Sequence, residues 1–121
     1  MRQVSINVYA QTFMTNFLLP RLLARENRSA IIDVSSFVIY FSSASLPMYC
    51  ATKNFNFSLS KCIADAYRDK IDVLCVTPHS VKSQMNSGRY LYSLSAERHG
   101  KAVIDKLGWT EVTRGPLLHA L

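Results

Sequence analysis

Tyr49 and Lys53 stand four residues apart in Tyr49-Cys50-Ala51-Thr52-Lys53. On a helix that spacing puts both side chains on one face and within reach of each other. A free phenol, with a pKa of roughly 10, is a poor acid or base at neutral pH. A fixed ammonium beside it favours the phenolate and brings proton transfer toward the working range. The pair could therefore hand a proton to a reacting oxygen. Six tyrosines and six lysines give such a spacing about 0.3 times by chance, so the motif alone is weak, and the plain alternative is a surface tyrosine beside a solvated lysine. Position separates the two. Ser36 follows a β-branched run and precedes Tyr49 by thirteen residues. In a parallel α/β sheet, ligands bind outside the carboxyl ends of the strands, where Ser36 and Tyr49 would both fall. A hydroxyl there donates to a developing oxyanion while the tyrosine supplies the proton. Otherwise Ser36 is one loop serine among many.

The elements that must hold these residues read as helix, strand, helix, strand, helix. Helix 8–25 carries Val8, Phe13, Phe17, Leu18, Leu22 and Leu23 at mostly helical spacing, and Pro20 removes one ladder bond and kinks it. Residues 30–34 fit a buried central strand, and residues 35–45, rich in serine and aromatics, read as a loop. Pro47 suits the first turn of helix 47–69, whose apolar stripe is Met48, Ala51, Phe55, Leu59, Cys62, Ile63 and Ala66. Residues 71–77 form a second apolar strand, closed by Pro78. Segment 79–94 is polar and longer than an ordinary connection, the mark of a functional lid or a disordered stretch. Ser95 caps a third helix to about residue 107, with Glu97 near its start and Gly108 as its stop, and Val112 and Thr113 form a short edge strand. Two parallel strands buried on both faces do not stand alone in water, so more sheet is expected.

At 121 residues the chain is one domain or part of one. With 49% hydrophobic and 18% charged residues it builds a core and is not a disordered chain. The longest apolar patch, 13–24, is broken by Thr15, Asn16, Pro20 and Arg21, so no membrane span is expected. The start lacks the charged-then-apolar order of a signal peptide, and the chain reads as soluble and intracellular. Cys50, Cys62 and Cys75 lie in apolar periodic segments. Their odd number, without CxxC or a His cluster, argues against a disulfide frame and against metal, leaving buried free thiols in a reducing compartment. The charge of +6 is scattered, with no basic run and no stacking stripe, which argues against nucleic acid.

Ser36 followed by Tyr49-Cys50-Ala51-Thr52-Lys53 resembles the Ser…Tyr-x-x-x-Lys signature of the short-chain dehydrogenases/reductases. Ile6-Asn7-Val8, with Thr15 and Leu19-Pro20, resembles that family's helix whose asparagine anchors a proton-relay water. Pro78-His79-Ser80-Val81-Lys82-Ser83 is similar to the family's loop in which a valine backbone and a Thr/Ser side chain face the nicotinamide amide. The likeness covers essentially all 121 residues, with the motifs in order. It implies Asn7, Ser36, Tyr49 and Lys53 as catalytic residues, and Tyr49, Lys53, Pro78, Val81 and Ser83 as cofactor contacts. Within the family, Lys53-Asn54-Phe55, Ser60, Cys62, Tyr67-Arg68, the lack of glycine after Pro78 and the ending Gly115-Pro116-Leu117-Leu118-His119-Ala120-Leu121 resemble 3-oxoacyl-CoA reductases and 17-beta-hydroxysteroid dehydrogenase type 12-like proteins. That branch implies NADPH, a very-long-chain 3-oxoacyl-CoA or steroid-ketone substrate and an endoplasmic-reticulum setting, and the family implies a homodimer packed through helices 8–25 and 47–69. The implied mechanism passes hydride from the nicotinamide to the carbonyl carbon while Tyr49 protonates the oxygen. Ser36 orients that oxygen, Lys53 tunes the tyrosine and binds the nicotinamide ribose, and Asn7 holds the relay water.

The implied fold is α/β, the C-terminal half of a Rossmann-type doubly wound parallel sheet with the glycine-rich first half missing. Only Gly88, Gly100, Gly108 and Gly115 are present, none at the spacing or position of a phosphate-binding turn. Residues 1–121 are therefore expected to be the catalytic part of the domain, with 79–94 as a substrate-loop segment, and to hold NADPH poorly alone. Asp33 stands in a strand where a neutral residue is expected. The alternative is a truncated, non-catalytic relative acting as an interaction or dimerisation module. The complete Asn–Ser–Tyr–Lys set favours the reductase.

Overall fold

Ile71–Val76, β2, is apolar at every position but Asp72, which suits a strand flanked on both sides. In the computed structural model, which describes residues 2–84, 86 and 93–116, it is the middle of a three-stranded parallel sheet. β1, Ser29–Val34, pairs with it along its whole length, from Ser29 opposite Ile71 to Val34 opposite Val76. The expected edge strand, β5 at Val112–Thr113, pairs on the other side with Cys75 and Val76. From segment 79–94, β3 (Val81–Lys82) pairs with β4 (Leu94–Ser95), which runs one residue past it, as a separate parallel ladder. Residues 85 and 87–92 of that segment, with Gly88, and the ending 117–121 lie outside the described residues.

Helices cover both faces of β2. On one face α3, Pro47–Ala66, and α2, Ala10–Leu23, pack Ile63, Ala64, Leu19, Leu22 and Leu23 against Ile71 and Val73. On the other, α4, Ala96–Ile104, sets Val103 and the following Leu107 against Leu74 and Val76. This is the α/β, parallel, doubly wound arrangement expected. Ser95 caps α4 by accepting from the Arg98 N–H at 3.3 Å. The helix stops at Ile104 and turns run on to Gly108, whose φ of +79° is the left-handed exit a glycine takes without strain.

Five readings need correction. The apolar stripe read on the helix at 47–69 is not its buried face: Met48, Ala51, Phe55, Cys62 and Ala66 are exposed, while α3, ending at Ala66, buries Cys50, Thr52, Asn56, Ser60, Ile63 and Ala64. β1 is not buried on both faces. Ile32 and Val34 share the face of Leu74 and Val76 but are exposed, because α4 covers that face over β2 only and no described strand flanks the outer edge of β1. The first helix starts earlier than residue 8, as α1 (Arg2–Val4) and a π-helical turn (Ser5–Tyr9) ahead of α2. Its apolar stripe splits: Leu18, Leu22 and Leu23 turn toward the sheet, while Phe13 and Phe17 are 69% and 60% exposed. The 35–45 loop contains a 3₁₀ turn, Phe37–Tyr40.

The fifth correction concerns the thiols. Cys50 and Cys75 are buried but Cys62 is exposed, on a face of α3 turned from the sheet. Burial, with Asp33 adding to it and a bond from Ser60 opposing, pushes the Cys75 thiol up to about 11. Iodoacetamide at neutral pH is expected to alkylate Cys62 in the native chain and Cys75 only after denaturant. Peptide mass mapping checks this, and equal labelling of Cys75 would contradict its place in the central strand.

Candidate active site

Where β1 ends, the chain is tied to both of its neighbours. The Ser35 N–H donates to the Val76 carbonyl at 2.8 Å, and Ser35 Oγ donates to the Lys53 carbonyl at 2.7 Å. Ser36 follows in extended backbone (φ −164°, ψ 156°), largely buried, and its Oγ caps the next turn by accepting from the Val38 N–H at 3.4 Å. The Phe37 N–H donates to the Pro78 carbonyl at 3.0 Å. Ser36 and Pro78 thus sit together at the carboxyl ends of adjacent parallel strands, the ligand-binding end of such a sheet.

Pro47 occupies the first turn of α3, which sets Tyr49 and Lys53 one turn apart on a common face. Lys53 Nζ donates to the Val34 carbonyl at 3.0 Å and lies 5.8 Å from the Tyr49 ring centroid. The ammonium is therefore beside the ring, its bond directed to the strand end. Among the described residues no hydrogen bond joins the Tyr49 hydroxyl to Ser36 or Lys53.

Burial lowers the Lys53 pKa from the ordinary lysine value, with Cys75 opposing. A lysine with a depressed native pKa binds fewer protons folded than unfolded, so stability rises with pH between the lowered value and roughly 10.4. The native chain is expected to gain stability from neutral to alkaline pH relative to Lys53→Met, which lacks the titrating group. Urea midpoints of both proteins across that range check the sign, and parallel curves would contradict it.

Asn7 lies in the π-helical turn, and its Nδ2 donates to Thr52 Oγ1 at 3.0 Å, while Thr52 Oγ1 donates to the Tyr49 carbonyl at 3.0 Å. The Asn7 carbonyl accepts from Asn56 Nδ2 at 2.6 Å, and Asn56 also donates to Gln11 Oε1. Thr52 and Asn56 were not singled out by motif, yet they stand three and seven residues beyond Tyr49, spacing that marks the same helical face. Asp33, the unexpected acid, accepts from Ser60 Oγ at 2.6 Å, so its carboxylate has a donor from α3. Asn7, Gln11, Thr15, Asp33, Lys53 and Asn56 are the polar lining of a groove of about 530 Å³ between α2 and β1.

Of the other expected contacts, Pro78 is half-buried and Val81 and Ser83 lie beyond it on the loop. Asn86, which motif reading missed, organises that loop. Its Nδ2 donates to the Val81 carbonyl at 3.1 Å and to Ser80 Oγ at 2.9 Å, and its N–H donates to Ser83 Oγ at 3.2 Å. Across the mouth, the Arg114 guanidinium lies 4.5 Å over the Tyr40 ring and 5.3 Å over Phe37, which also meets His79 at 5.0 Å. Among the described residues no group of His, Cys, Asp and Glu could hold a metal ion.

Residues 1–91 match the family model described as short chain dehydrogenase. The very-long-chain 3-oxoacyl-CoA reductase of Homo sapiens is 32% identical over 123 residues, covering 99% of this chain and 39% of that protein. Retinol dehydrogenase 10-A of Danio rerio is 33% identical over 91 residues, covering 72% of this chain and 26% of that protein. The chain thus spans well under half the length of these relatives. Among solved structures, a short chain dehydrogenase from Burkholderia cenocepacia in complex with NADP superposes with a TM-score of 0.77 at 18% identity, over 95% of this chain and 50% of that one. A 7beta-hydroxysteroid dehydrogenase gives 0.73 at 24% identity, over 93% and 46%. At those identities the structures show a shared fold. With three-quarters of the sequence matching the family model and a parallel sheet bearing the signature residues at its carboxyl end, the chain belongs to the short-chain dehydrogenase family.

Proposed function

We propose that this chain is the catalytic part of a nicotinamide-dependent carbonyl reductase, with Tyr49 as proton donor. One observation carries the reading: Tyr49 and Lys53 share a face of α3, and the Lys53–Val34 and Ser35–Lys53 bonds hold that face against the strand end bearing Ser36. Tyr49 gives its proton to the substrate oxygen, Ser36 Oγ donates to the same oxygen, and Lys53 supplies the positive charge that makes the phenol a competent acid.

The described residues fit one end of a nicotinamide dinucleotide. Lys53, Tyr49 and the loop at Pro78, Val81 and Ser83 would hold the ribose and the nicotinamide amide. The pyrophosphate end has no counterpart among them: Gly100 lies inside α4, and Gly115, at φ +93°, faces His99, whose Nε2 would stand 2.6 Å from an added Cβ. When bound, the cofactor supplies the hydride. NADPH is favoured over NADH by the NADP in the superposed Burkholderia structure. A 3-oxoacyl-CoA or a steroid ketone is the proposed substrate, supported by the names of the relatives. An endoplasmic-reticulum setting rests on resemblance to that branch. No described helix is long and apolar enough to cross a membrane.

The test is cofactor consumption with a short 3-oxoacyl-CoA or a steroid ketone, using NADPH and NADH in turn. The chain alone is expected to bind NADPH weakly by fluorescence and to turn over neither ketone. Joined to a glycine-rich cofactor-binding half, it is expected to oxidise NADPH, and silence with both ketones would overturn the reading.

Exposed Phe13 and Phe17 on α2 and Phe55 on α3 favour a second reading, a dimerisation module that pairs through helices 8–25 and 47–69. Sedimentation equilibrium decides it, since a monomer at every concentration removes it.

A further inference from the structure

We infer that Asn56 is a positioning residue, fixing the turn that carries Asn7 against the helix face that carries Tyr49 and Lys53. The inference rests on the reductase reading for its catalytic consequence and on geometry for its structural one. Asn56 stands two helical turns beyond Tyr49 and is 4% exposed. Its Nδ2 reaches two acceptors on the opposite element, the Asn7 carbonyl and Gln11 Oε1.

The element it reaches is π-helical, with Ala10 N–H bonding back to Ser5 rather than one residue later. A π-turn is a local departure from the α-helical ladder and needs support from its surroundings. Asn56 gives that support from 49 residues away. The Asn7 side chain completes the stitch, donating to Thr52, which in turn donates to the Tyr49 carbonyl. Gln11 shows how firmly the amide directs its neighbours. Among the described residues Gln11 Nε2 is buried with no hydrogen-bond partner, although rotating the amide would expose a different atom to Asn56. Rotation would set two NH₂ groups against each other, so the Asn56 donor dictates the orientation and leaves Gln11 Nε2 idle. An apolar residue of the same size would fill the space without holding either acceptor.

The test uses the full chain with Asn56→Leu, which keeps the shape and removes the amide, and Asn56→Asp, which turns the donor into an acceptor once ionised. Hydrogen exchange of residues 5–9 is compared with that of β2, and the Asn7 side-chain amide is followed by nitrogen-15 NMR. In Asn56→Leu, protection at residues 5–9 is expected to fall about tenfold at every pH while β2 is unchanged. In Asn56→Asp, protection and the native Asn7 signal are expected at acidic pH, where the carboxyl still donates, and to vanish as it ionises. In the chain joined to a glycine-rich cofactor-binding half, Asn56→Leu is expected to lower kcat about tenfold with KM unchanged. Uniform loss of protection in both variants, or no pH dependence in Asn56→Asp, would overturn the inference. If Tyr49→Phe retained turnover, the reductase reading would fail while the exchange pattern stood. If Tyr49→Phe were dead and Asn56→Leu kept both its kcat and its protection, the positioning role alone would fail.

Discussion

Tyr49→Phe is expected to lower ketone reduction by about 10²- to 10⁴-fold, roughly 3 to 5 kcal/mol of transition-state stabilisation, with the fold untouched. The size follows from the role: the variant removes the proton donor, and of the proposed cofactor contacts it removes one hydroxyl. Tyr49 is half-buried and its hydroxyl has no bond to Ser36 or Lys53, so its loss leaves no buried partner stranded. Lys53 keeps its bond to the Val34 carbonyl, and the helix face stays in place. The loss should therefore fall on kcat, since ketone and cofactor are held mostly by other groups. NADPH consumption by the chain joined to a cofactor-binding half measures the rate, and circular dichroism melting checks that stability is shared. A loss of less than about threefold would mean the proton comes from elsewhere.

That result depends on a face of α3 that local sequence made legible. Pro47 announces the helix start, and four-residue spacing puts Tyr49 beside Lys53 whatever the rest of the chain does. Ser36 was legible for the same reason, since a β-branched run ending in serines marks a strand end. The doubly wound pattern followed from alternating elements, and the parallel register agrees with it.

What periodicity left hidden is non-local. A stripe such as Phe13, Phe17 and Leu22 shows that a helix has an apolar side, yet not which part of it another element covers. The same limit applies to Cys62 on α3 and to Ile32 and Val34 on β1. Those β1 residues are apolar as in a central strand, but the flank they would be central to is not among the described residues. The chain covers 39% of the length of the very-long-chain 3-oxoacyl-CoA reductase of Homo sapiens. The π-turn at 5–9 was invisible because its support comes from Asn56, far along the chain. Asn56 and Thr52 were legible only once Tyr49 was taken as the reference point of a helical face.

Leu74→Ala is expected to cost about 2 to 5 kcal/mol, a large part of the 5 to 15 kcal/mol available to a domain of ordinary stability. Leu74 is 0% exposed, in the strand that pairs on both sides, and packs with Val76, Val103 and Leu107 under α4. Truncation leaves a cavity bounded by two strands and a helix, which cannot collapse without breaking the sheet register. The informative control is Ile32→Ala. Ile32 lies directly opposite Leu74 on the same face, but it is 41% exposed, so its truncation removes partial burial and creates no enclosed void. Its expected cost is about 1 kcal/mol or less. Urea unfolding of both variants measures the difference within one register pair. Equal costs would mean that the face of β1 is covered in solution, and that α4 is not the only element packed on that side of the sheet. A large gap between them would place the two-sided core at β2, with the β1 face beside it open.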